Sequence, residues 1–298
     1  MYRNAYVLLL LTTLFWGGNA VAGKLAVGHI SPMLLTTIRW ALAVAIMLAI
    51  GLPQLRRDWP VVRANMALIL ALGAVGFTLF NAAFYSAVHY TSAINASIEQ
   101  AGMPMLIFVF NFVLYRMGVS WGQIIGFTLS LVGVALTASH GDLFSLAELE
   151  INRGDALMLL AIVFYAGYTV ALRYKPAIHW KSLMLAMCFA AFVTSVPFAI
   201  WEAAAGDALM PDARGWAVVV YTAIFPSVLS QLFYIRGVEL IGGNRAGLFI
   251  NLVPIFGTLL SIAILNEDFH LYHAVALTLV LGGIGLAEHS GRKRAALG

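Results

Sequence analysis

Residues 5–27 read AYVLLLLTTLFWGGNAVAGKLAV, an apolar run whose lone charge is Lys24. A helix rises about 1.5 Å per residue, so a run of this length crosses the roughly 30 Å hydrocarbon layer of a bilayer. Runs of the same kind recur to the end of the chain. Breaks at proline, glycine and charge clusters divide it into ten expected spans: 5–27, 32–51, 64–88, 91–115, 119–138, 154–174, 180–203, 214–237, 242–265 and 269–289. Composition points the same way. Of 298 residues, 62% are hydrophobic and 10% charged, where a soluble domain has roughly 45–50% and about 25%. No soluble fold hides that much apolar surface, and the short loops leave no room for a separate catalytic domain. The expected fold class is an all-α polytopic membrane protein.

The charges orient it. With alternate loops on alternate sides, twelve Lys and Arg residues fall on one face, among them Arg56, Arg57, Arg63 and Arg292, and only Arg153 and Arg214 on the other. Basic short loops mark the cytoplasmic side, so both termini are expected inside. The net charge of +4 thereby reads as a topology signal, and no nucleic-acid partner is expected. Cys188 is the lone cysteine, which leaves the fold to packing in lipid. The run from Ala5 is expected to persist as the first span, because no small-residue cleavage pattern follows it.

The chain also repeats itself. A shift of 150 places Pro104 on Pro254, Asn81 on Gln231 and Phe84 on Tyr234. The same shift lays Thr128, Gly133 and Leu136 on Thr278, Gly283 and Leu286. A shift of 149 brings Trp16 onto Tyr165 and Lys24 onto Arg173. Each half then holds five spans, and an odd number turns the second half upside down. Inverted repeats are the mark of transporters that open alternately to either side. The expected layout is a first repeat at 1–138, a connecting loop at 139–153, an inverted second repeat at 154–290 and a basic tail at 291–298.

Trp16, Gly17 and Asn19 in the first span, Lys24 at its end, Arg39 in the second span, and Asn266-Glu267-Asp268 before the last carry a family resemblance. In that order and spacing the chain resembles the EamA family of the drug/metabolite transporter superfamily, and within it the YddG-type bacterial amino-acid exporters. The acidic residue expected before the last span of each half is present as Glu267 but replaced by Met117 in the first. The resemblance implies two inverted five-helix halves around a central cavity in the bacterial inner membrane. It also implies export of small metabolites, amino acids of aromatic or broad neutral range, by alternating access. Two other functions stand beside this one: efflux of multiple drugs or quaternary amines, and an intramembrane enzyme acting on a lipid-linked substrate. The second would need clustered carboxylates or a nucleophile–base pair, which the sequence does not offer.

Residues for a site come from polar groups at mid-depth. Asn19, Asn81, Tyr85, Glu99, Tyr168, Gln231 and Tyr234 are expected to line the cavity and bind substrate, with Trp16 and Tyr165 on the same helix faces. Glu99 reads either as an acceptor for a substrate ammonium or a proton, or as the partner of Arg39 or Lys24, because a charge inside a span needs a partner or water. Arg39 and Lys24 are accordingly expected to pair charges, Lys24 also being near enough to an end to snorkel. Arg245, with Asn244 and Asn251 nearby, either attracts a carboxylate or anchors at headgroups. Tyr90, Trp180, Trp201 and Trp216 read as an interfacial belt. Gly122, Gly126, Gly133, Gly282, Gly283 and Gly285 are expected to allow close packing of the fifth and tenth spans, or to form a dimer face. Monomer and homodimer both remain open. Pro104 and Pro254 are expected hinges. His270 and His273 lack the ligand spacing of a metal site, and neither metal nor cofactor is expected. The expected partners are a small-molecule substrate and membrane lipid.

Overall fold

The computed structural model describes residues 4–116, 120–142, 152–241, 246 and 249–295. Met117, Asn244 and Arg245 lie outside them. Helices follow one another almost without interruption, and no strand occurs among the described residues. The helices are α1 (Ala5–Ala26), α2 (Pro32–Ala64), α3 (Met66–Ala87), α4 (Ala93–Tyr115), α5 (Trp121–Ala138), α6 (Arg153–Tyr174), α7 (Trp180–Ala204), α8 (Ala213–Ile241), α9 (Val253–Leu265) and α10 (Leu271–Ala295). Seven of these (α1–α4 and α6–α8) are long and apolar enough to cross a membrane, while α5, α9 and α10 carry shorter apolar stretches. This is a polytopic membrane protein.

Local chemistry starts most of the helices. The side chains of Asn4, Ser92, Asn152 and Asp212 each accept a backbone N–H in the first turn of α1, α4, α6 and α8. Ser120 and Gln123 form a reciprocal capping box on α5. Such caps satisfy donors that helix geometry leaves unpaired.

Sequence reading ended α2 near residue 51, but the helix runs on through Pro53 and Pro60 to Ala64. Tertiary contact outweighs the two prolines here. Leu55 and Val62 pack with Leu185 of α7, and Asp58 accepts from the Ser182 hydroxyl at 2.6 Å and the His179 N–H at 3.2 Å. The far end of α7 returns the contact. Glu202, 6% exposed, accepts from the Ser31 hydroxyl (2.6 Å) and from the N–H groups of Met33 (3.2 Å) and Leu34 (3.1 Å). Each helix of this antiparallel pair thus caps the start of the other. Glu202→Ala should cost roughly 1–3 kcal/mol, because three bonds to one carboxylate vanish and buried donors are left bare. The shift is read as a lower denaturation midpoint of the detergent-solubilised protein, and a midpoint equal to wild type would refute the assignment.

Two irregularities recur at the repeat offset. α3 widens to a π turn at Ala74–Leu79, and α8 does so at Ala223–Leu229. α4 breaks at Ala101–Gly102 and α9 starts beyond a turn at residues 251–252. Pro104 and Pro254 therefore sit in the first turn of a helical segment, where a missing N–H costs nothing. The expectation of prolines kinking a continuous helix is corrected: the interruption precedes each proline.

α5 and α10 pack along their lengths. A Cβ on Gly126 would meet the Gly283 carbonyl at 2.4 Å, and one on Gly283 would meet the Gly126 carbonyl at 2.4 Å. Gly122 and Gly133 are equally crowded by α10. Gly282 and Gly285 have nothing within 4 Å among the described residues, so four of the six glycines belong to the seam they form.

Candidate substrate site

Arg39 projects from α2 into the middle of the bundle and is 5% exposed. Its Nε donates to Ser227 Oγ at 2.8 Å. Its Nη1 donates to Asn81 Oδ1 at 2.7 Å, to Asn19 Oδ1 at 3.3 Å and to the Tyr85 hydroxyl. The Tyr85 hydroxyl in turn donates to Asn19 Oδ1 at 3.0 Å. Four helices (α1, α2, α3 and α8) thereby meet on one guanidinium.

The π turns and their neighbours aim these oxygens. In α8, Pro226 has no N–H to offer the Thr222 carbonyl, and the Ser227 hydroxyl donates there at 2.8 Å instead. That bond consumes the only hydroxyl proton, so Ser227 Oγ turns a lone pair to Arg39. In α3 the amide of Asn81 donates to the Phe77 carbonyl at 2.6 Å, which leaves its Oδ1 for Arg39. All four partners of Arg39 are neutral, and among the described residues no carboxylate pairs with it. Its Nη2 makes no hydrogen bond to a described residue. A buried cation held only by neutral oxygens is costly in lipid, and its N–H groups can donate to an anion.

Aromatic rings wall the cluster. The guanidinium lies 5.1 Å from the Trp40 ring and 5.7 Å from that of Tyr85. Trp40 stacks on Phe77 at 4.6 Å, and Phe77 meets Tyr168 at 5.7 Å. Tyr165 touches Tyr168 and Phe80. Trp16 donates to the Pro226 carbonyl at 3.1 Å and meets Tyr234 at 5.6 Å.

Of the seven residues expected to line a cavity, Asn19, Asn81 and Tyr85 come together on Arg39. Tyr168 and Tyr234 stand in the aromatic wall. Gln231 is half-buried on α8. Glu99 stands apart. It faces Asp155 of α6, so the charge pairs expected for it with Arg39 or Lys24 do not form. The reason is geometric: Arg39 is taken by α1, α3 and α8, and the Lys24 ammonium donates to the carbonyls of Val88 (2.9 Å) and Thr91 (2.8 Å) at the end of α3. Sequence reading missed Ser227 and Asp155. Ser227 follows a proline inside a span, which is a legible signal; Asp155 sat among first-turn residues and looked like a helix start.

Two cavities are open elsewhere. One, about 330 Å³, is apolar and lies between α2, α3 and α7, lined by residues such as Leu48, Trp59, Met66 and Phe189. The other, about 240 Å³, is lined by Asn95, His140, Glu267, His270, Tyr272 and His273 among others.

The family model described as EamA-like transporter family matches residues 3–139 and 152–287. The chain belongs to the EamA-like transporter family. Two relatives from Bacillus subtilis strain 168 are similar over nearly their whole lengths. The uncharacterized transporter YyaM is 26% identical over 95% of this chain and 93% of its own, and the uncharacterized transporter YetK 27% over 94% and 86%. A solved crystal structure shares the fold with a TM-score of 0.65 at 21% identity, covering 97% of this chain and 98% of that one. The EamA assignment places the protein in a family of transporters rather than of enzymes. In this EamA-family chain the motif residues that carried the resemblance have distinct duties. Asn19 binds Arg39. A Cβ on Gly17 would meet the Gly257 N–H nitrogen at 2.7 Å, so α1 can cross α9 only with glycine there. Glu267 caps α4, accepting from Ala93 N–H (2.8 Å) and Ile94 N–H (2.9 Å).

Proposed function

We propose that this protein is a secondary transporter that exports amino acids, aromatic or broadly neutral, across the bacterial inner membrane, as the YddG-type exporters do. The single observation that carries the reading is the charge of Arg39, buried at the meeting of four helices and answered by no carboxylate of the described residues. An amino-acid carboxylate supplies the missing charge at Nη2, while the rings of Tyr168, Trp40 and Phe77 offer flat apolar surface to a side chain. In this proposal the carboxylate-binding role passes from the cavity residues at large to Arg39, and Asn19, Asn81 and Tyr85 hold it in place.

The architecture proposed with it has ten spans in two inverted halves, 1–138 and 154–290, with both termini cytoplasmic. Three observations support the duplication: paired π turns in α3 and α8, paired breaks before Pro104 and Pro254, and reciprocal caps between α2 and α7. Alternating access follows if the segments beyond the breaks swing about them. Efflux of quaternary amines is disfavoured, since the charge at the centre is positive and Glu99 faces another carboxyl.

Proteoliposomes preloaded with labelled neutral amino acids test the reading. They should release label down its gradient well above protein-free vesicles, and a labelled quaternary ammonium should stay inside. Release of the ammonium with retention of amino acids would reverse the assignment.

A further inference from the structure

A second buried polar site stands apart from Arg39. Glu99 and Asp155 are both 0% exposed, on helices that pack together, and their carboxyls interact with each other. Neither carboxyl receives a hydrogen bond from any N–H or O–H of the described residues. The Thr91 hydroxyl lies beside Asp155 without closing a bond. Two facing carboxylates cannot both be ionised when buried, so the donor missing from the protein must be a proton on the pair itself. Backbone dipoles bear on where it resides. Glu99 lies at the C-terminal, negative end of the segment Ala93–Gln100, and Asp155 in the first turn of α6, at its positive end. These backbone dipoles favour a shared proton on the Glu99 side.

A directed hydrogen-bond chain leads to this pair from the polar cavity. The His270 N–H donates to His273 Nδ1 at 3.0 Å, so neutral His273 carries its proton on Nε2. That nitrogen donates to Asn95 Oδ1 at 3.0 Å. The Asn95 amide points its Nδ2 at His140 Nε2, 3.5 Å away. His140 then bears its proton on Nδ1, which stands 4.0 Å from Asp155 Oδ2. Each tautomer follows from the bond before it, and the chain crosses from the cavity wall to the buried carboxyl with one gap, at His140.

We infer that Glu99 and Asp155 form a proton-binding site, loaded from the cavity through His140, whose proton is exchanged in the transport cycle. Titratable groups on the elements packed against this segment of α4 have other partners. Lys24 of α1 is bound to carbonyls and drawn to Glu267, whose carboxylate caps α4. His89 lies near Lys24, and Tyr272 of α10 stands on the Asp155 side. Among the described residues no three His, Cys, Asp or Glu side chains are arranged to hold a metal. Loading passes the Nδ1 proton of His140 to the carboxyl pair on its Asp155 side while His140 Nε2, held from Asn95 only by the long 3.5 Å contact, takes one proton from water in the cavity. The site adjoins the break in α4: the Glu99 carbonyl accepts from Gly102 N–H at 2.9 Å. Broken helices place ion sites at such ends in transporters. Gain or loss of the proton therefore acts where the segment Met103–Tyr115 begins.

The coupling rests on the transporter reading above, whereas the proton on the pair does not, and two measurements keep them distinguishable. Infrared titration of the purified protein should show a protonated-carboxyl band at neutral pH that Glu99→Gln abolishes and Asp155→Asn shifts. Glu99→Gln mimics the protonated acid and should fold. Absence of the band, or its survival in Glu99→Gln, overturns the site whatever the protein transports. In proteoliposomes holding a pH-sensitive dye, wild-type amino-acid flux should move protons, and Glu99→Gln should retain downhill flux with proton movement lost. Wild-type flux without proton movement overturns the coupling. If no amino acid moves, the substrate assignment fails and the infrared band still decides the site.

Discussion

Arg39→Gln should cut amino-acid transport on the order of 100-fold while leaving residual flux and a folded protein. Glutamine keeps a donor for Asn81 or Asn19 but removes the charge. A carboxylate entering the same place then loses its charged partner in a low-dielectric interior, a loss of roughly 3–5 kcal/mol. At about 1.4 kcal/mol per factor of ten, flux or affinity should fall on the order of 100-fold or more. Stability should move far less. Burying an arginine in a span costs about 2.5–3.5 kcal/mol, and hydrogen bonds to four neutral oxygens offset this, so the two terms nearly cancel when the side chain is replaced. A purely structural Arg39 predicts the opposite pattern: a clear fall in the denaturation midpoint with transport scaling only with the amount of folded protein. Flux in proteoliposomes, normalised to folded protein, separates the two.

Gly126→Val should leave almost no folded protein, and Gly282→Val almost all of it. The first Cβ would sit 2.4 Å from the Gly283 carbonyl and 3.0 Å from Ala287, with backbone on one side that cannot rotate away. α5 must then separate from α10 along a seam that also includes Gly122 and Gly133. Overpacking alone costs about 1–3 kcal/mol, and interhelical packing lost over the seam adds to it, because small residues rather than hydrophobic transfer hold helices together in lipid. Gly282 meets nothing within 4 Å among the described residues, so its substitution serves as the control on α10. Size-exclusion profiles of detergent extracts report the difference. Equal monodisperse yield from the two variants would mean that the seam is not tight.

Much of this was written in local composition. Hydropathy and loop charge marked the helices, because a span needs no partner to be apolar. The offset that aligned Pro104 with Pro254 and Asn81 with Gln231 also aligned the helix breaks and π turns, since those features depend on residues a few positions away. That Asn19, Asn81 and Tyr85 would come together was legible from their depth and helix faces. What escaped were facts of tertiary contact. α2 continued past two prolines only because α7 receives it. Glu99 faced Asp155 rather than Arg39, because which face of α4 meets α6 is set by packing far along the chain. Glu267, a residue of the family resemblance, turned out to cap a helix, as Glu202 does without belonging to that motif.

The central claim is that Arg39 binds the carboxylate of the transported molecule. The most direct test measures a neutral amino acid and its carboxamide side by side as competitors of labelled amino-acid flux, in wild-type protein and in Arg39→Gln. The two competitors keep the same side chain and ammonium and differ only in the group that would meet Arg39. The account predicts that in wild type the amino acid competes at least about 100-fold better than the amide, a gap of nearly 3 kcal/mol, and that whatever competition survives in Arg39→Gln no longer distinguishes them. Equal competition by acid and amide in the wild-type protein would contradict it.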